Sequence, residues 1–127
     1  MMERKKGKII NIGSIDGYHG MRFEAAYCAS KAGVHLFSKA LAEEWVNYNI
    51  NVNVIAPGWA ETALAPWMLG DEKEAVERRE TAAKTLIPMK RFCPLRDLGL
   101  LAVYLASAAS DYMTGEVITI DGGYTIW

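Results

Sequence analysis

The fold is decided by the stretch Asn51-Val52-Asn53-Val54-Ile55-Ala56-Pro57-Gly58, near the middle of a 127-residue chain. Residues 51–56 are rich in β-branched side chains and end at a Pro-Gly pair, so they predict a short buried strand. A similar apolar run closed by glycine predicts an earlier strand over residues 8–13. Residues 117–121 predict a third strand.

A long helix is predicted over residues 25–48, between the first two strands. Its apolar side chains recur at helical spacing and form one stripe: Val34, Phe37, Leu41 and Trp45. A stripe of this kind normally packs on the sheet of its own domain. Leu36, Ala40 and Glu43 lie off the stripe, so the helix has a second surface for another contact.

Two further helices are predicted between the second and third strands. Residues 71–84 form a charged segment that begins with a capping pair, Asp71 and Glu74. Residues 95–107 form an apolar segment that follows Pro94. Strands that alternate with helices imply an α/β fold with a parallel sheet.

Composition and charge exclude several classes of protein. Hydrophobic residues make up 51% of the chain, which excludes intrinsic disorder, and the length suits one domain over residues 1–127. The net charge is −1 with no basic stripe, so we expect no nucleic-acid partner. We expect neither a membrane span nor a signal peptide. Cys28 and Cys93 lack metal-ligand or disulfide spacing, so we expect no metal and a reduced, cytoplasmic compartment.

Tyr27 and Lys31 carry the clearest chemical signal. Side chains four residues apart share one face of a helix, and a positive charge near a phenol favours its ionised form. Ser14 directly follows the first predicted strand, and Pro57-Gly58 follows the second. Because ligands bind beyond the carboxyl ends of parallel strands, these segments are expected to converge on one rim of the sheet.

In this order the motifs resemble the short-chain dehydrogenases/reductases. The resemblance rests on five motifs: Ser14 with its spacing to Tyr27, Tyr27-x-x-x-Lys31, Asn51-Val52-Asn53, Pro57-Gly58-Trp59-Ala60-Glu61-Thr62 and Asp121-Gly122-Gly123. It covers nearly all of this chain but only the C-terminal half of the family's domain. It implies a partial Rossmann-like parallel sheet, with the three C-terminal strands and flanking helices present and the N-terminal nucleotide-binding half absent.

The resemblance implies a role for each of several residues. Tyr27 would be the general acid/base toward the substrate oxygen, and Lys31 would favour its ionised form and hold the nicotinamide ribose. Ser14 would orient the substrate carbonyl or hydroxyl group. The cofactor-binding set would comprise Tyr27, Lys31, Pro57, Gly58, Ala60 and Thr62. The implied reaction is hydride transfer between a small alcohol or carbonyl substrate and NAD or NADP.

Parts of the family pattern are missing from the sequence. They are the glycine-rich cofactor loop, the residue that selects NAD or NADP, and a catalytic asparagine, all of which would lie before Met1. We therefore expect the chain to be a truncated product or a fragment. Its first strand would lie at an exposed edge, so we also expect marginal stability and self-association.

Two functions of different class fit this pattern. The first is an NAD(P)-dependent oxidoreductase, and residues 42–45 and 56–59 look most like sugar-acid dehydrogenases and 3-oxoacyl reductases. The second is a non-catalytic remnant that serves as an oligomerisation or interaction module. In the family the helix over residues 25–48 contributes to a dimer interface, so the resemblance implies a homo-oligomer.

Some side chains have more than one interpretation. Four apolar residues after the second strand form either a substrate lid or a patch that packs on the sheet: Trp59, Trp67, Met68 and Leu69. His19 lies either beside a substrate pocket or on a surface loop, and His35 is either packed or solvated. Cys28 has no base partner nearby in sequence, which favours a small buried cysteine.

Overall fold

A computed structural model describes residues 1–62, 70 and 72–126. Its main elements, in chain order, are β1 (Gly7–Ile12), α1 (Ala25–Trp45), β2 (Ile50–Pro57), α2 (Lys73–Leu86), α3 (Leu95–Ala106) and β3 (Val117–Ile120). Short 3-10 helices lie at Ile15–Gly17, Val46–Tyr48 and Ala108–Ser110. The predicted strands and helices are confirmed with small shifts at their ends, and the last predicted turn of the long helix is a 3-10 helix.

The three strands form one parallel sheet in the order β1-β2-β3. β1 pairs with β2 from Gly7 opposite Ile50 to Ile12 opposite Ile55. β3 pairs with residues 54–57 of β2. The α/β fold with a parallel sheet is therefore confirmed, and β2 forms its buried centre.

Helices lie on both faces of this sheet. Ile9, Ile50 and Val52 point to one face, where they pack with Ala42 of α1. Lys8 is next to Ile9 in β1, so its side chain points to the opposite face. Its Nζ donates at 3.1 Å to Oγ of Ser110, which lies just after α3. Because side chains alternate along a strand, α1 and the end of α3 lie on opposite faces.

The predicted stripe of α1 is confirmed at Leu41 and Trp45, which pack against Ala42, Ile50 and Val52, but not at Phe37. The helix buries His35, Ser38 and Ala42, whereas Phe37 is 59% exposed. The prediction that Phe37 packs on the sheet is therefore wrong. Hydrogen bonding explains part of the difference, because Ser38 Oγ accepts a hydrogen bond from Asn11 Nδ2 of β1 at 2.9 Å. A polar pair thus holds the helix on the strand where the pattern predicted an aromatic ring.

Several predicted features lie outside the described residues: Trp67, Met68 and Leu69 of the apolar set, Asp71 of the capping pair, and Trp127. The described start of α2 is Lys73, with Glu72 as its N-cap residue. Near the end of α2, Ala83 packs with Ile87 and Phe92. Across residues 1–62, 70 and 72–126, no helix has the length and apolar character needed to cross a membrane.

Candidate active site

A cleft of about 470 Å³ opens beyond the carboxyl ends of β1 and β2. Its walls come from the turn after β1, the first turns of α1 and the loop after β2. The lining includes all seven residues that the sequence singled out: Ser14, Tyr27, Lys31, Pro57, Gly58, Ala60 and Thr62. The structure therefore places these residues around one space, at the rim of the sheet where parallel α/β folds bind ligands.

Ser14 is fixed by the turn that follows β1. It is the N-cap residue of the 3-10 helix Ile15–Gly17, and its Oγ accepts a hydrogen bond from Asp16 N at 3.1 Å. The same hydroxyl donates to Asp16 Oδ2 at 3.1 Å. Serine favours such local side-chain-to-backbone bonds at turns. The residue is 5% exposed, so its hydroxyl has a defined position at the edge of the cleft.

Tyr27 and Lys31 lie in the first turns of α1, next to the end of β1. Lys31 Nζ donates to the backbone oxygen of Ile12 at 3.1 Å. It also lies 5.6 Å from the centroid of the Tyr27 ring. The strand end thus anchors the ammonium group beside the phenol, in the arrangement that the four-residue spacing predicts.

The loop after β2 is held close to the end of β3. Gly58 N donates to Ile120 O at 3.0 Å, and a Cβ atom on Gly58 would lie 2.7 Å from Cβ of Asp121. Real Cβ atoms essentially never approach so closely, so this position requires glycine. The Pro57-Gly58 and Asp121-Gly122-Gly123 motifs therefore occur together because their backbones are in contact.

Asp121 organises the turn after β3. Its carboxylate accepts hydrogen bonds from Gly123 N at 2.9 Å and from Thr125 N at 2.8 Å. Burial alone would raise the pKa of Asp121, but the hydrogen bonds from Thr125 and Gly123 outweigh it and hold the pKa below its usual value. The carboxylate therefore stays charged and keeps the turn against Gly58.

The segment from Trp59 to Thr62 is pinned at its middle. Ala60 forms a parallel bridge with Cys93, whose N donates to Trp59 O at 2.9 Å. Burial, with the Asp97 carboxylate nearby, raises the pKa of the Cys93 thiol, which favours its neutral form. Trp59 lines the cleft and also packs against the cluster of Ala83, Ile87 and Phe92.

Besides Trp59, the cleft has further lining residues that the sequence did not single out: Ile12, Gly13, Ile15, Asp16, Met21, Glu24 and Leu98. The Ser14-x-Asp16 spacing, typical of side-chain-capped turns, was a signal for Asp16. Met21 and Leu98 come from separate segments and carried no such signal. His19 is not among the described lining residues; its Nε2 lies 3.5 Å from Asp16 Oδ1.

Cys28 and His35, the remaining candidate side chains, make packing or hydrogen-bond contacts within the fold. Cys28 Sγ accepts a hydrogen bond from Met21 N at 3.3 Å, which ties the loop before α1 to the helix. His35 is buried, which decides between its two interpretations in favour of packing. Within the described ranges, no group of three or more His, Cys, Asp or Glu residues is placed to hold a metal ion.

Comparisons with known proteins agree with this fold and cleft. Residues 1–125 match the family described as Enoyl-(Acyl carrier protein) reductase. The chain is 43% identical over 124 residues to 2-dehydro-3-deoxy-D-gluconate 5-dehydrogenase of Bacillus subtilis, covering 98% of this chain and 47% of that protein. It is 37% identical over 129 residues to galactitol 2-dehydrogenase (L-tagatose-forming) of Cereibacter sphaeroides, covering 100% of this chain and 49% of the relative.

The structural comparison gives the same result. A crystal structure of gluconate 5-dehydrogenase from Burkholderia cenocepacia, in complex with NADP and tartrate, superposes with a TM-score of 0.86 at 33% identity. The match covers 99% of this chain and 48% of that one, so the chain spans about half the length of the relatives it matches. The fold is the Rossmann-like fold of these enzymes. The chain belongs to the short-chain dehydrogenase/reductase family and is by family an oxidoreductase.

Proposed function

We propose that this chain is the catalytic half of an NAD(P)-dependent oxidoreductase that transfers hydride between nicotinamide and an alcohol or carbonyl carbon. The observation that carries the proposal is the single cleft that Ser14, Tyr27 and Lys31 line together with the loop after β2. The activities named for the relatives, which include a sugar-acid and a polyol dehydrogenase, support the reaction class.

The residues present fit the nicotinamide-ribose end of the cofactor. Lys31 uses one ammonium hydrogen on Ile12 O, which leaves others for ribose hydroxyl groups. Thr62 offers a hydroxyl group on another part of the same cleft, and Ala60 offers backbone. The 127 residues contain no G-x-x-x-G-x-G loop. In this proposal the phosphate end of the cofactor is therefore bound by residues other than such a loop.

Proton transfer is assigned to the phenol of Tyr27. The cofactor supplies the hydride acceptor or donor, and Tyr27 Oη takes or gives the proton at the substrate oxygen. Lys31 Nζ lies 5.6 Å from the centroid of the Tyr27 ring, so a positive charge is placed beside the phenol. Ser14 Oγ, held at the rim by its bonds with Asp16, fixes the substrate oxygen beside the phenol.

A second candidate function is an interaction module, and one observation favours it. Leu36 is 72% exposed and Phe37 is 59% exposed, side by side on α1. In our proposal this surface associates copies of the chain, as a homo-oligomer through the helix over residues 25–48. The free thiols Cys28 and Cys93 fit a reducing, cytoplasmic compartment.

The decisive experiment is an NADPH fluorescence titration of the purified chain, followed by dehydrogenase assays with sugar acids, polyols and 3-oxoacyl thioesters. Lys31→Ala should weaken NADPH binding. Tyr27→Phe should retain binding but lower turnover by about 10²- to 10⁴-fold, because general acid/base catalysis contributes that much. Tyr112→Phe is the matched control, since Tyr112 is fully exposed and does not line the described cleft.

The outcomes separate the two candidates. Binding that depends on Lys31, with turnover that depends on Tyr27, supports the oxidoreductase. Stable self-association without NADPH binding, disrupted by Phe37→Lys, supports the interaction module instead. NADPH binding that is insensitive to Lys31→Ala would refute the proposed cofactor site.

A further inference from the structure

A buried histidine of α1 packs beneath the Ser14 turn, by which we mean residues 13–17. His35 is 5% exposed. A Cβ atom on Gly13 would lie 2.8 Å from Cδ2 of His35, and one on Gly17 would lie 2.8 Å from Nδ1. Contacts below 3.0 Å are essentially never made by real Cβ atoms. Both ends of the Ser14 turn therefore rest on this one imidazole ring, and both must be glycine to do so.

The other sides of the ring are also enclosed. The Tyr18 ring lies 4.8 Å from the His35 ring, centroid to centroid. Tyr18 Oη donates to Val117 O of β3 at 3.0 Å, which fixes that side of the enclosure to the sheet. Val54 of β2 also lies close to Gly13: a Cβ atom added to Gly13 would lie 2.8 Å from Cγ1 of Val54. The ring thus has little room to move without displacing the turn.

The enclosure suits a neutral imidazole and not a charged one. His35 Nε2 has no hydrogen-bond partner among the described residues. The charged groups that act on it are Lys39 and Lys31 of α1. The turn itself carries the Asp16 carboxylate, which accepts from Ser14 Oγ, the next residue contributes the phenol of Tyr18, and β2 contributes apolar Val54. Burial first, then Lys39 and Lys31, lower the pKa of His35.

We propose that neutral His35 is a positioning residue, which fixes Ser14 by supporting both ends of its turn, and that protonation of His35 releases the turn. Two backbone bonds define the turn and would report its release: Gly17 N to Ser14 O at 3.0 Å, and Tyr18 N to Ile15 O at 2.9 Å. The effect on catalysis rests on the proposed function, whereas the packing and its pH dependence do not.

The chain is well suited to a direct test because it contains only two histidines. Proton–carbon NMR of the imidazole Cε1 groups, with His19→Asn to assign the signals, gives the midpoint of each titration. We expect His35 to titrate below the ordinary value of 6.5. Hydrogen exchange at the Gly17 and Tyr18 amides, corrected for intrinsic rates, should lose protection with the same midpoint. A His35 midpoint at or above 6.5 would overturn the proposal.

Two substitutions separate positioning from general destabilisation. His35→Phe keeps a ring of similar size that cannot titrate, so the Gly17 and Tyr18 amides should stay protected at every pH. His35→Ala removes the ring, so the same amides should lose protection at all pH values. Unchanged protection in His35→Ala, or pH-dependent loss that persists in His35→Phe, would reject the positioning role. Because His19 lies 3.5 Å from Asp16 of the turn, the control is Tyr112→Phe at a fully exposed position, which should behave as the unsubstituted chain.

The catalytic consequence has its own readout. Where the chain turns over substrate, His35→Ala should lower kcat by up to about 100-fold, the loss expected when a reacting group is misplaced by about 1 Å, with little change in KM. In the unsubstituted chain, kcat should fall at acid pH as His35 is protonated. His35→Phe should have a kcat close to that of the unsubstituted chain at neutral pH and should lack this fall. Absence of any turnover would count against the proposed function only, because the NMR and exchange results would still decide the role of His35.

Discussion

The two outer strands of the sheet are attached to the central strand β2 in different ways. Beside β3, loop groups bond to the strands: Asn53 Nδ2 donates to Met113 O at 2.9 Å, and Asn53 Oδ1 accepts from Glu116 N at 3.1 Å. On the other side, β1 has β2 as its only strand neighbour among the described residues, and Ile12 at the end of β1 is 56% exposed. β1 and β3 are both edge strands among the described residues. The loop before β3 is also bonded to β2 through buried Asn53, so we call the β3 edge the closed side and the β1 edge the open side.

The candidate active site takes residues from both sides. The difference shows which of its residues are held by bonds within the chain and which lie next to the open edge. The closed side fixes Pro57-Gly58 through Asp121 and does so with groups from this chain alone. The open side carries Ser14, together with Ile12 O, which anchors Lys31. An open edge of this kind pairs readily with another strand or aggregates. The residues assigned to proton transfer thus lie on the less supported side, where His35 provides the packing from α1.

The closed edge gives the largest expected effect on stability. Asn53→Ala removes a buried side chain and leaves Met113 O and Glu116 N, both in part-buried bonds, without their partner. Loss of a partner costs about 1–3 kcal/mol for a fully buried group and less for a part-buried one. We expect the free energy of unfolding in urea to fall by about 2 kcal/mol or more. Asn51→Ala, which removes one exposed bond to Asp111 O, is the matched control and should change stability much less. Equal losses in the two variants would mean that the closed edge is not held by Asn53.

A substitution at the open edge should change self-association, with an effect smaller than the stability loss in Asn53→Ala. A lysine in place of Ile12 puts a charge on the edge, which natural sheets use to prevent pairing between chains. If β1 mediates self-association, Ile12→Lys should shift the chain toward monomer in analytical ultracentrifugation, whereas Tyr112→Lys should not. Burying the exposed half of an isoleucine contributes about 1 kcal/mol, which sets the scale of the shift.

Phe37→Lys tests the alternative surface in the same assay. Dissociation by Phe37→Lys with no effect of Ile12→Lys would assign association to α1 and show that the open edge is not the contact. A cooperative, monomeric melt of the unsubstituted chain would contradict self-association through either surface.

The sequence predicted the order of elements and the parallel sheet, because β-branched runs, helical spacing and glycine stops are local signals. It also selected residues that meet at the cleft: Ser14 and Pro57-Gly58 follow strand ends, and Tyr27 and Lys31 share one face at the start of a helix. It placed Leu41 and Trp45 correctly on the buried face of α1 but was wrong at Phe37, since hydrophobicity favoured Phe37 over Ser38. The structure buries Ser38 because Asn11, on a different element, supplies its partner. Such pairs depend on three-dimensional register, which no single segment encodes.

The role of His35 was missed for a related reason. A histidine in a helix has no local feature that distinguishes a solvated ring from a packed one. Its environment comes from Gly13 and Gly17, which in the sequence read only as turn residues. The paired glycines become informative once the fold places both against the same ring.

The smallest expected effects are two separate windows of pH dependence, one on each side of the sheet. The folded chain lowers the pKa of His35 from 6.5, so the unfolded chain binds more protons and stability is lost as pH falls below about 6.5. The folded chain also lowers the pKa of Asp121 from 3.8, so its contribution is present above 3.8 and is lost as pH falls through the folded value. Urea unfolding as a function of pH should show both losses, each smaller than the loss in Asn53→Ala.

Substitutions assign each pH window to its side of the molecule. His35→Phe should remove only the upper window, and Asp121→Asn should lower stability at neutral pH and remove only the lower one. Because these groups lie on different sides of the sheet, their effects should add in the double variant. A double variant in which the two effects fail to add would show that the open and closed sides are energetically coupled, most directly through Tyr18, which stacks on His35 and bonds to Val117 of β3.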